Sequence, residues 1–214
     1  MSLGAIDDVT LRGTSVRLEP LGRYHVDQLV TAGSNGGDLY RWSSVPSSID
    51  AARLYVETAL RWKAEGRALA FATIDQQSDQ VIGSTRFFDI ARWPWPAGHE
   101  RAEGAVIDTC EIGYTWLAPS AVRTAANTEA KLLMLSHAFE TWRACSVCFH
   151  ADARNDRSRA ALARIGAQFE GILRSHRLAA DLIPRDSARF SIVAADWPQA
   201  RRRLEGMLSR PRPA

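Results

Sequence analysis

The sequence predicts a mixed α/β or α+β sheet covered by helices, and three observations carry that reading. Strand-like runs stand near both ends of the chain. Between them the order is strand, helix, strand, helix, and two pairs of runs read as hairpins, the first across the polar turn "QQSD".

The elements follow in order. "GTSVRLEPL" alternates Val16 and Leu18 with Arg17 and Glu19, the period of a half-buried strand, and a helix is expected from about Tyr24 to Ala32. "SNGGDLYRWSSVPSS" breaks every period with Gly, Ser and Pro, so it is a loop. Asp50 can cap a helix from Ala51 to Ala64, with Leu54, Tyr55, Thr58 and Trp62 at helical spacing and Gly66 as its stop. "ALAFATID" and "QVIGSTRFFDI" form a hairpin across "QQSD". From Ala91 to Gly104 "ARWPWPAGHERAEG" has no period and is a loop, followed by the strand "IDTCEIGYTWLAP". The helix carrying Leu132, Leu133, Leu135, Ala138, Phe139 and Trp142 has a broad apolar face and must be buried. "ACSVCFHAD" is a strand and "RSRAALARIG" a short helix stopped by Gly166. "AQFEGILRSHRLAA" with "SARFSIVAAD" is a final hairpin, and a closing helix starts at Trp197-Pro198.

Composition narrows the class. With 214 residues, 46% hydrophobic and 24% charged, the chain suits one large globular domain, and no linker or repeat divides it. A net charge of +3 is too mild and too evenly spread to point to nucleic acid, and the basic tract Arg201 to Arg203 reads as a solvated tail. Three cysteines and the lack of a leader or long apolar run fit a reducing cytoplasm. Cys145 and Cys148 form a C-x-x-C, but in a strand residues three apart point to opposite faces, so no metal site is expected.

The junction "AVRTAANTEAKLL" carries the chemistry. A helix N-terminus leaves backbone N–H groups free and bears partial positive charge, so a turn of short side chains leading into one is a natural anion site. Thr124 to Thr128 is such a turn, with Asn127 as the expected N-cap.

The ordered set "VRLEPL", "QVIGSTRFFDI", "EIGYTWLAP", "RTAANTEAKLLMLSHAFE", "DARNDRSRAALARIGAQFEGILR" and "RDSARFSIVAADWP" resembles the GCN5-related N-acetyltransferases, in particular the branch that resembles ribosomal-protein N-terminal acetyltransferases. The resemblance spans Leu11 to Pro198, so residues 11–198 are expected to be one domain and 199–214 a helix end with a basic tail. It implies a mostly antiparallel sheet of six to seven strands, split by a bulge where "EIGYTWL" and "SVCFHAD" diverge to admit the pantetheine arm of acetyl-coenzyme A.

The family turn Gln/Arg-x-x-Gly-x-Gly/Ala aligns with Val122 to Asn127, which implies that Arg123, Thr124, Ala125, Ala126, Asn127 and Thr128 hold the cofactor diphosphate. Here Val122 stands where a polar residue is usual, Ala125 replaces the first glycine and Asn127 takes the last small position. An alanine still lets phosphate approach if its φ is negative. By the same resemblance Glu111 is the general base, Asn155 bonds the pantetheine arm and Ser158 donates a proton to the leaving thiolate. His150 and Asp152 are alternative proton relays. The aromatic loops at Tyr40 and Trp42 and at Trp93 and Trp95 are expected to wall the acceptor amine.

The expected activity is direct acetyl transfer from acetyl-coenzyme A to a primary amine, a protein N-terminus or a small molecule, with no metal and no membrane, and with a homodimer as the family habit. The alternative class is an acyl-coenzyme A-binding sensor or scaffold without catalysis, raised by the missing turn glycines and opposed by Glu111 and Ser158.

Overall fold

The computed structural model describes residues 6–102, 107–179 and 181–210. Strands β1 (Leu11–Arg12), β2 (Val16–Pro20), β3 (Ala68–Asp75), β4 (Val81–Ala91), β5 (Thr109–Leu117), β6 (Ser146–Asp152), β7 (Gln168–Leu178) and β8 (Pro184–Val193) form one sheet. Its order is β1-β2-β3-β4-β5-β6-β8-β7. Every pairing is antiparallel except β5 with β6. The helices are α1 (Val26–Gly33), α2 (Ile49–Ala64), α3 (Ala126–Ser136), α4 (Asp156–Arg164) and α5 (Trp197–Leu208).

Period-2 alternation puts two cores on the two faces of the sheet. Along β3, Leu69 and Phe71 join Met134 of α3 and Leu204 of α5 in one cluster, with Phe87, Trp142 and Phe149. Ala70 and Ala72, one residue out of phase, join Leu29 of α1 and Val56 of α2 in the other. The small residues of β3 thus face the helix pair that packs close. Each large side chain so buried contributes about 1.5–3 kcal/mol.

Eight strands stand where six to seven were expected, because Leu11 and Arg12 turn at Gly13 and pair back on Leu18 and Arg17. A side chain 115 residues away organises this turn. Glu129 of α3, 7% exposed, accepts hydrogen bonds from the backbone N–H groups of Thr14 (2.8 Å), Ser15 (2.7 Å) and Val16 (2.7 Å). A Cβ at position 13 would fall 2.7 Å from Glu129 Oε2, so the glycine is required by close approach. Glu129→Gln is expected to replace a charged acceptor by an amide and cost about 1–2 kcal/mol. A melting curve should show a loss of roughly 2–8 °C; an unchanged midpoint would remove this role.

Three local expectations are corrected. Helix α2 begins at Ile49 with Ser48, not Asp50, as its cap: Ser48 has the extended backbone that a cap needs (φ −143°, ψ 163°) and its side chain accepts the Ala51 N–H. Asp50 lies inside the first turn, where its charge suits the helix dipole. Asn127 likewise lies inside α3, which begins at Ala126, and Thr124 Oγ1 accepts the Ala126 N–H at 3.2 Å in its place. The segment expected as a helix from Tyr24 opens with a 3₁₀ turn, Arg23–His25, before α1. Residues 103–104 of the expected loop, Ala180 of the expected final hairpin and 211–214 of the expected tail lie outside the described residues.

The feature that positions the site is the parallel pair. β5 and β6 are bonded only over Thr109–Glu111 and Ser146–Cys148. Beyond Glu111 the two strands separate. On its other side β5 shifts register against β4, passing from Gly113 opposite Arg86 to Trp116 opposite Ser84, and the bulged Tyr114 takes φ +51°.

Candidate active site

A cleft of about 960 Å³ fills the space where β5 and β6 separate. Glu111, at the last paired position of β5, sits at its inner end and is 3% exposed. Its Oε1 accepts from Arg177 Nη1 at 3.0 Å and its Oε2 from Arg177 Nη2 at 2.8 Å. His150 Nδ1 of β6 lies 2.8 Å from Oε2, off the line of a well-aligned N–H···O bond. Burial pushes the Glu111 carboxyl upward, but the contacts from His150 and Arg177 outweigh it and hold it below the usual carboxylate range. Glu111 is therefore an anion held against an imidazole whose Nε2, also buried, has no protein partner among the described residues. Asp152 is otherwise engaged: Arg154 donates to it through Nε (2.9 Å), Nη2 (2.8 Å) and backbone N–H (3.0 Å). Of the two relay candidates, only His150 touches Glu111.

At the outer end, Arg123, Thr124, Asn127 and Thr128 line the cleft. The N–H groups of Arg123, Thr124, Ala125, Asn127 and Thr128 donate to no acceptor among the described residues, leaving a row of donors at the start of α3. Ala125 has φ −65°, so no glycine is needed there, and the left-handed residue of the turn is Arg123 at φ +63°. Ala126 turns its methyl into the core instead of the cleft. Asn127 Oδ1 is buried with no partner among the described residues, an acceptor awaiting a donor in the cleft wall. The residues thus fit an anionic, amide-bearing ligand.

Asn155 and Ser158 both line the cleft from the start of α4. Asn155 Oδ1 accepts the Ser158 N–H at 3.0 Å and so caps the helix, which fixes the Ser158 hydroxyl at the cleft edge.

Tyr40 and Trp42 line the cleft at the far ends of the diverging strands. Tyr40 donates its hydroxyl to Leu117 O at 2.9 Å, and Trp42 carries the Arg154 guanidinium 4.4 Å above its ring. Trp93 and Trp95 are placed elsewhere. Their loop is tied to Asp108, just before β5: the Trp93 N–H donates to Oδ2 (2.7 Å), and Trp95 Nε1 (2.9 Å) and Arg101 Nε (3.0 Å) donate to Oδ1. Neither tryptophan lines the cleft. Replacing both with alanine is accordingly expected to lower the melting temperature and leave the acceptor KM within about twofold; a KM raised severalfold at unchanged stability would restore the lid role.

Three aromatic side chains do reach the Glu111 end. Trp62, Phe88 and Tyr114 wall a hollow of about 130 Å³ with Asp89 and Arg177, and Arg177 joins it to Glu111 by bonding Asp89 Oδ2 at 2.9 Å as well. Arg177 comes from β7, 66 residues after its partner, and no spacing in the chain signals that meeting. Lys131 also escaped notice, although a lysine four residues after Asn127 on a buried helix is a readable signal.

The model of the acetyltransferase (GNAT) domain family matches residues 15–168. A GCN5-related N-acetyltransferase from Brucella melitensis is 28% identical, with a TM-score of 0.77 over 96% of this chain and 87% of its own. Mycobacterium smegmatis RimJ, solved with CoA-disulfide, shares the fold at 21% identity, a TM-score of 0.74 and 95% of each chain. RimL, a ribosomal L7/L12 alpha-N-protein acetyltransferase solved with coenzyme A, shares it at 17% identity and 0.68 over 88% of this chain and all of its own (100%). No curated protein sequence matches. A family match across most of the chain, on a fold shared over nearly all of it, places this protein in the GNAT acetyltransferase family.

Proposed function

We propose that the protein transfers an acetyl group from acetyl-coenzyme A to a primary amine by direct attack within a ternary complex. The observation that carries this reading is the buried Glu111–His150 contact at the point where β5 and β6 part, with a row of free amides at the other end of the same cleft. Acetyl-coenzyme A supplies the activated thioester. The free N–H groups of Arg123 to Thr128 hold its diphosphate, helped by the N-terminal end of the α3 dipole.

An attacking amine must be neutral, and amines have pKa values of about 8 to 10.4, so the site must remove a proton. His150 Nε2 receives it in this reading, while the Glu111 carboxylate stabilises the imidazolium that results and Arg177 fixes the carboxylate. Ser158 gives the thiolate its proton from the opposite wall. The acceptor, a protein N-terminus or a small-molecule amine, approaches through the hollow walled by Trp62, Phe88 and Tyr114. No helix among the described residues is long and apolar enough to cross a membrane.

A thiol-release assay with acetyl-coenzyme A over a panel of amines and peptide N-termini tests the reading. Acceptor-dependent thiol release supports it. Tight cofactor binding with no release for any acceptor would favour the non-catalytic binder.

A further inference from the structure

Lys131 of α3 is 5% exposed and lines the cleft. Its Nζ makes one hydrogen bond, to Thr115 Oγ1 at 2.8 Å, out of the three that an ammonium can donate. No carboxylate among the described residues lies in ion-pair range of it. The acidic group nearest in sequence, Glu129 on the same helix, is turned to the β1–β2 turn. Facing it, β5 and β4 offer the neutral hydroxyls of Thr115 and Thr85, which lie 2.8 Å apart. Val16 and Leu18 of β2 and Leu204 of α5 belong to the same apolar cluster as Ala130 and Met134 of this helix. Arg164 donates to Thr128 Oγ1, and Arg123, Arg157 and Arg210 line the same cleft.

A buried, unpaired ammonium is expensive, and such a group is kept where a ligand or reaction compensates it. Burial alone pushes Lys131 down to about 7. Lys131 also follows Asn127 by four residues, so the two share one face of α3, and the buried Asn127 Oδ1 has no partner among the described residues. Helical side chains lean toward the N-terminus, which for Lys131 is the direction of the free amides of Arg123 to Thr128.

We propose that Lys131 is a ligand of the cofactor diphosphate, supplying from the second turn of α3 a charged donor to the anion held by the turn amides. This rests on the reading of the cleft as a coenzyme A site. Lys131 keeps Thr115 with one N–H and offers the others to phosphate oxygen. The unpaired lysine thereby gains its counter-charge only when the cofactor is bound, and a lysine that is largely neutral above pH 7 must take up a proton on binding.

The test is calorimetry at pH 8 with 3′-dephospho-coenzyme A, whose lack of a phosphate monoester leaves no ligand group titrating near pH 6. Titrations in two buffers of different ionisation enthalpy count the protons. Wild-type protein should take up most of one proton per ligand at pH 8 and almost none at pH 6, where Lys131 already carries its charge. Lys131→Met should abolish the uptake and weaken binding roughly tenfold or more, while leaving affinity for S-acetyl-pantetheine, which has no diphosphate, unchanged. At pH 6, where Lys131 carries its charge, the same variant should melt no lower than wild type, because it removes a buried charge. Wild-type binding without proton uptake overturns the proposal even if the variant fails to fold, as does uptake that survives Lys131→Met. Wild-type protein that binds no dephospho-coenzyme A at all refutes the cofactor site itself.

Discussion

Glu111→Gln is expected to lower kcat by roughly 10²-fold, the scale of disabling the general base that it supports at His150, while leaving the Kd for coenzyme A unchanged. The substitution keeps the shape of the side chain and removes its charge. Without the carboxylate, the imidazolium formed at His150, 2.8 Å away, loses the charge that stabilises it. The deficit should grow as pH falls from about 9 to 7, because more of the amine arrives protonated. Stability moves in a defined direction too. The carboxyl is held below its ordinary range, so its ionised form contributes stability that is present above about pH 4.3, its value in the unfolded chain, and is lost as pH falls through the lower native value. At pH 7 the variant should therefore melt somewhat lower, limited by the second partner of Arg177, Asp89 at 2.9 Å. The decisive measurement is the pH profile of kcat with one good acceptor. An unaltered profile in the variant would remove the carboxylate from the proton transfer and leave that step to His150 alone, Asp152 or bulk water.

The parts of this protein legible in its sequence are those fixed by local period. Strands β2 to β6 and the α3 helix follow from alternation and helical spacing, since each element buries one face against a neighbour. The junction at Ala121 to Leu133 was legible for the same reason: short side chains, then a helix, leave amides with no partner. Meetings across the sheet were not. Arg177 reaches Glu111 from β7, and Glu129 reaches the Gly13 turn from α3; both pairings depend on tertiary placement that no short window contains. Trp93 and Trp95 stand apart from the cleft for a physical reason. Aromatic side chains seek a surface, but which surface was decided by Asp108, a buried carboxylate 1% exposed that needed donors and found them in this loop. The aromatic side chains that wall the hollow at the Glu111 end come instead from α2, β4 and β5: Trp62, Phe88 and Tyr114. Caps also slipped, because Ser48 and Asp50 are equally good cap residues and backbone shape, not composition, chose between them.

Ala125→Phe is expected to weaken coenzyme A binding by about 10²-fold, and the backbone explains both this loss and the tolerance of alanine. At φ −65° the residue already has helical geometry, so the glycine common at this position in the family is needed for access and not for conformation. Its N–H and those of Thr124, Asn127 and Thr128 have no acceptor among the described residues. A phosphate that bonds them must come within about 3 Å of the main chain. A methyl group permits that approach. A benzyl group over the same turn holds the anion away and forfeits two charge-assisted bonds, each of about 1.5–3 kcal/mol, and the 10²-fold figure is the lower end of that range. Ala125→Gly supplies the control: it opens no new conformation that the turn requires and should change affinity by less than about threefold. A uniform loss in both variants would point to disturbed helix initiation instead of blocked access. If the Phe variant melts normally and binds coenzyme A as tightly as wild type, the diphosphate does not sit on these amides, and the anion site must be sought at the arginines farther along the cleft.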